Sequence, residues 1–196
     1  VGDLYAGALR DPKKAIDAYQ GVVRRFPDAP EVQGALAASA RLFSDKLRQY
    51  DLALEMDERI VDKFPKTKAS LDALKDMARL QREHLGRPEK AIDTLRKLSA
   101  MHGGQDGVDA LLSAADIARR DLKDYQRQAD ILEQVASDYA ASKEAPQALF
   151  DAAGVYEKDL QDTPKAVDAY KAVVDKFPDT KLARKAKAKA EKLSGA

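Results

Sequence analysis

The chain has 196 residues, with 34 Lys and Arg against 33 Asp and Glu, a formal net charge of +1 and no cysteine. Such an even balance gives no global pull toward nucleic acid or a membrane surface, and the missing thiols exclude disulfides, thiolate metal sites and cysteine nucleophiles. No apolar run approaches the roughly 20 residues of a membrane-spanning helix.

Leu9, Leu47, Leu85, Leu122 and Leu160 lie 38, 38, 37 and 38 residues apart. Phe26, Phe64, His102, Tyr139 and Phe177 keep the same intervals, so two independent anchors define one internal repeat with a residue missing after its third copy.

Taken along the chain, residues 1–9 match the end of a helix, with Tyr5 and Leu9 corresponding to Tyr156 and Leu160. The chain therefore begins inside a repeat, and the expectation is that it is part of a longer protein. Pro12 to Arg25 follows, with Ala15, Tyr19, Val22, Val23 and Phe26 at the three- and four-residue spacing of one buried helical stripe. Pro27 pushes Phe26 out of the helical region and ends that segment, and Pro65 and Pro178 do the same after Phe64 and Phe177.

Asp28 is the expected N-cap of the next helix, paired with Glu31 as a capping box; Thr67, Ser142 and Thr180 are the later caps. That next helix carries Leu36, Ala40, Phe43 and Leu47, and a later copy carries Leu149, Ala153, Tyr156 and Leu160. Pro12, Pro88 and Pro164 sit where a first-turn proline sacrifices no hydrogen bond. His102 occupies an aromatic slot, and Gly103-Gly104 after it is a helix connection using glycine's freedom in left-handed backbone. Residues 180–193, with Leu182, Ala186, Ala190 and Leu193 on one face, form a terminal capping helix. Each unit is helix, turn, helix, and since one hairpin cannot hide its stripe, neighbours must stack.

Ala15, Tyr19, Val22 and Pro27, repeated as Ala53, Asp57, Ile60 and Pro65 and as Ala166, Tyr170, Val173 and Pro178, resemble the second-helix positions of the tetratricopeptide repeat. Leu36, Ser39, Ala40 and Phe43, and Leu149, Ala152, Ala153 and Tyr156, resemble its first-helix positions. The resemblance implies an all-α, right-handed superhelical solenoid of helix-turn-helix units, a single domain over residues 1–196 with about four and a half hairpins. Three features depart from the pattern: the period exceeds the usual ~34 residues, Gln128 replaces a packing alanine, and the third unit lacks aromatic-proline. Long units ending in Phe-Pro-Asp-Thr, as at Phe177 to Thr180, resemble repeats of bacterial cell-envelope proteins, namely outer-membrane assembly lipoproteins and periplasmic division-coordinating factors. A periplasmic or envelope location is the matching expectation.

In that family the first helices line a concave face. With Leu36, Leu74, Leu111 and Leu149 in the core, the residues five and eight positions later turn toward the hollow: Arg41 and Ser44, Arg79 and Arg82, Asp116 and Arg119, Gly154 and Glu157. Lys75 and Arg120 lie nearby, and Phe150 is an apolar contact at the far end. Arginine forks suit carboxylates, so the expected ligand is an acidic segment of a partner protein. The competing reading of the same residues is a solvated helix face balanced by Asp45, Asp76 and Glu83.

No enzyme chemistry is expected. His84 and His102 have no partner at metal or triad spacing, so neither a metal nor a cofactor is called for. Asp57 and Glu58 are read as solvated surface. Lys181, Arg184, Lys185, Lys187, Lys189 and Lys192 make the last helix basic, with 181, 185 and 189 on one ridge. That helix, together with the arginine stripe, supports the alternative function, an anion binder for nucleic acid or an anionic membrane surface. No aromatics interleave with the lysines, which counts against nucleic acid. The favoured function is a noncatalytic scaffold or adaptor, and the missing asparagine removes the clamp by which some adaptors of this kind hold a peptide C-terminus.

Overall fold

The computed structural model describes residues 1–7 and 10–195; Leu9, the first of the repeat anchors, lies outside them. Among the described residues the fold is all-α, as expected. The helices are α1 (Gly2–Ala6), α2 (Pro12–Arg25), α3 (Glu31–Arg41), α4 (Tyr50–Lys63), α5 (Lys68–Glu83), α6 (Pro88–His102), α7 (Gly104–Ile117), α8 (Tyr125–Asp138), α9 (Ala145–Lys158), α10 (Thr163–Lys176) and α11 (Lys181–Ser194). None of them is long and apolar enough to cross a membrane. The chain divides into two compact units, Val1–Thr94 and Leu95–Ala196, with the boundary inside α6.

Within the first unit α1 packs on α2, α3 on α4 and α4 on α5. Its core is built from Ala15, Val32, Leu36, Ala53, Ile60, Leu74, Leu80 and Ile92. A buried polar pair, Thr94 Oγ1 donating to Gln81 Oε1 at 2.8 Å, joins α5 to α6. Within the second unit α7 packs on α8, α8 on α9, α9 on α10 and α10 on α11, around Val108, Leu111, Ile131, Val135, Leu149, Ala166, Tyr170 and Val173. Leu36, Leu74, Leu111 and Leu149 are all buried, so the predicted inward face is correct. The closing aromatics are less uniform, because Phe26 is 60% exposed.

The leucine clock turns out to time a helix ending. The amides of Leu47, Leu85 and Leu160 reach back five residues to Leu42, Leu80 and Val155, widening the last turn. Two residues beyond each leucine, Asp11, Gln49, Arg87, Asp124 and Asp162 donate to carbonyls six residues back at 2.7–2.9 Å. The residue between is left-handed every time: Arg10, Arg48, Gly86, Lys123 and Gln161, at φ of 48 to 61°. After α3 and α7 this widening extends to a π-turn, Leu42–Lys46 and Ala118–Leu122. The closure leaves the next helix ready to start, and Asp11, Asp124 and Asp162 cap α2, α8 and α10 by accepting from the amides of Lys14, Arg127 and Lys165.

At the other end of each unit, Thr67 and Thr180 cap α5 and α11, and Ser142 accepts from the Ala145 amide. Asp28 does not cap α3. The capping slot lies three residues after the aromatic, which is Thr67, Ser142 and Thr180 but Ala29 in the first unit, so Asp28 stands one residue early. Its carboxylate pairs with Lys63 at 3.1 Å instead, and α3 starts without a side-chain cap. The missing residue of the third copy is also explained: α6 runs to His102, and Gly103 and Gly104, at φ of 62 and 55°, turn the chain directly into α7.

Candidate functional site

The first helices carry the candidate side chains, and within each unit part of them lines an open groove. In the first unit a groove of about 460 Å³ runs between α3 and α5 over α4. Gly34 and Ala37 open its α3 side, Arg41 and Arg79 line it, and Asp57 of α4 lies at its base. In the second unit a groove of about 430 Å³ is lined by Asp116, Arg119, Gln128, Phe150 and Lys189. The structure thus brings Arg41 together with Arg79, and Asp116 and Arg119 together with Phe150. Lys75 and Arg82, on α5, and Arg120, beyond α7, stand outside the residues that line these grooves.

The guanidinium stripe is locally compensated. Arg79 Nη2 sits 3.2 Å from Asp76 Oδ1, one turn earlier on α5. Arg119 and Arg120 both reach Asp116, at 3.2 and 2.7 Å. These pairs are exposed or half-exposed and contribute little to stability, but two aspartates offset most of the charge that the three arginines would otherwise present. Phe150 packs edge-on against Tyr170, with ring centroids 5.3 Å apart.

Asp57 is a correction. Read as solvated surface, it is 4% exposed. The cue was available, since Asp57 occupies the same repeat position as Tyr19 and Tyr170, and that position faces the packed helices rather than water. Burial above all, and then Asp76, pushes its carboxyl up to about 8, while Arg79 and Arg41 pull it down. The carboxyl is therefore mostly protonated at neutral pH.

The basic last helix needs a second correction. Lys189 is diverted from the ridge, donating to Glu157 Oε1 and Oε2 at 2.8 and 2.9 Å. Tyr170 donates to the same carboxylate at 2.7 Å. Burial alone would raise the Glu157 carboxyl, but the hydrogen bonds from Lys189 and Tyr170 hold it below the usual carboxylate range. Lys181, Arg184, Lys185, Lys187 and Lys192 remain exposed. His84 stacks on Tyr50 at 4.4 Å between centroids. Among the described residues no group of three His, Asp or Glu side chains is placed to hold a metal ion.

The sequence profile of the tetratricopeptide repeat matches residues 1–29 and 147–180. A tetratricopeptide repeat protein from Parabacteroides merdae is similar in structure, with a TM-score of 0.51 and 15% identity over 99% of this chain and 71% of that one. The crystal structure of MamA is similar at a TM-score of 0.51 and 19% identity, over 90% of this chain and 94% of that one. At these identities the likeness shows the fold alone. No curated protein sequence matches the chain.

Proposed function

We propose that the chain is a noncatalytic recognition scaffold or adaptor that holds a segment of a partner protein against the first-helix face. Tetratricopeptide repeats are protein-interaction scaffolds, and two stretches of this chain match that repeat. The observation that carries the reading is the pair of open grooves, one per unit, into which Arg41 and Arg79, and Arg119 and Phe150, are brought. Small residues and forked cations along the walls suit an extended segment bearing acidic side chains. An envelope location is part of the proposal and rests on the Phe-Pro-Asp-Thr ending at Phe177 to Thr180.

The immobilised chain, incubated with envelope and cytosolic fractions of its source, tests this when compared with the Arg79→Glu plus Arg119→Glu variant by mass spectrometry. A protein retained by wild type and lost by the variant supports recognition at the grooves, and its fraction of origin supports or refutes the envelope location. Equal retention by both moves the interface to another face.

A further inference from the structure

Asp57 is 4% exposed, lines the groove of the first unit and makes no hydrogen bond to another described residue, and its carboxyl is not among the side-chain atoms sealed away from that groove. A buried acid that makes no ion pair stays neutral, because desolvation penalises its anion. As a neutral acid it carries one O–H donor, and nothing among the described residues accepts from it.

The repeat shows what belongs there. Tyr19 and Tyr170 hold the same position, and each donates its hydroxyl to a carboxylate of the preceding first helix. Tyr19 donates to Asp3 at 2.5 Å and Tyr170 to Glu157 at 2.7 Å. Asp3 lies 16 residues before its tyrosine and Glu157 lies 13 before. The corresponding residues for Asp57 are Arg41 and Ser44. Ser44 spends its hydroxyl on Asp45 at 2.8 Å. Arg41 is exposed, lines the groove and makes no ion pair among the described residues. In this repeat, then, the donor is present, the carboxylate acceptor is missing, and an uncommitted guanidinium stands where one of the carboxylates would be.

We propose that Asp57 and Arg41 form a contact point for a carboxylate side chain of a partner protein's acidic segment, Asp57 donating one hydrogen bond and Arg41 supplying the charge. The proposal rests on the groove recognition described above and names the chemistry of its ligand. The other charged groups that line the groove are accounted for: Asp76 and Arg79 of α5 pair with each other, and Lys68 and Asp72, also on α5, pair at 2.9 Å. Asp45, beyond α3, accepts from Ser44. A carboxylate entering the groove therefore displaces no ion pair.

The sign of the pH dependence follows. Below about 8 the Asp57 carboxyl donates; above it the anion repels the ligand. A cationic ligand would show the reverse, tightening as Asp57 ionises.

The test uses three fluorescein-labelled, end-capped peptides of alternating Ala with Glu, Gln or Lys, titrated by anisotropy at pH 6.5 and 9.0 and constant ionic strength. For wild type the Glu peptide should bind, and its Kd should rise about tenfold between the two pH values, the factor expected for losing one proton at about 8. Asp57→Asn, whose amide donates at every pH, should bind the Glu peptide with the pH dependence gone. Arg41→Gln should weaken it by about tenfold or more, the usual loss for a charge-assisted bond. The proposal is overturned by a pH-independent wild type, by indifference to Arg41→Gln, by equal binding of the Gln peptide, or by a Lys peptide that tightens with pH. Failure of all three peptides to bind also overturns this contact point, while groove recognition is judged separately by the capture experiment.

Discussion

Replacing Asp57 with Asn tests the burial argument with no ligand present. The wild-type carboxyl moves from 3.8 in the unfolded chain to about 8 in the fold. Between those values the folded state holds a proton that the unfolded state has released. Stability contributed by Asp57 is thus fully present below the unfolded value and is lost as pH rises through the folded one. Each pH unit inside the window is worth about 1.4 kcal/mol, so from pH 5 to 7.5 the wild type should lose about 3 kcal/mol relative to Asp57→Asn, which has nothing to titrate. Urea unfolding followed by far-ultraviolet circular dichroism, run on both proteins at both pH values, measures the difference directly. The two should be closest in stability at pH 5, with the variant pulling ahead at pH 7.5. A gap between them that stays constant over this range would mean that Asp57 is ionised and solvated in the fold, and the burial argument would be wrong.

Three further outcomes follow from packing and backbone geometry. Leu149→Ala removes a side chain that is only 4% exposed and should cost about 2 to 5 kcal/mol, read from the same urea curves; a near-neutral result would mean the inward face has been misplaced. Gly86 adopts φ of 61°, and no atom lies within 4 Å of where a Cβ would stand, so Gly86→Ala should cost about 1 kcal/mol for backbone conformation alone. A much larger loss would point to a steric clash at this helix ending. Ala29→Thr supplies the cap hydroxyl that α3 lacks and should raise the melting free energy by about 1 kcal/mol; no gain would show that α3 starts in a geometry the Thr67 cap does not share.

How much of this was legible depended on the range of the interactions involved. Helix positions, the Phe-Pro stops and the threonine caps are relations among residues no more than about seven apart, so they are written locally in the chain. Even the neutralisation of Arg79 by Asp76 and of Arg119 by Asp116 is an i, i+3 relation. The left-handed residue after each leucine has no mark in the sequence at Arg48, Lys123 and Gln161, and only Gly86 advertises it.

The period, the alternation of helices and the face of each helix that turns inward follow from the order of residues alone, because an apolar stripe must be buried whatever covers it. Tertiary structure decided the state of the charged groups. Whether Asp57 meets water depends on how α3 and α5 pack against α4, and the capture of Lys189 by Glu157 joins residues 32 apart on different helices. Burial and charge pairing across helices set the energy of an ionisable group, and neither exists until the helices have packed.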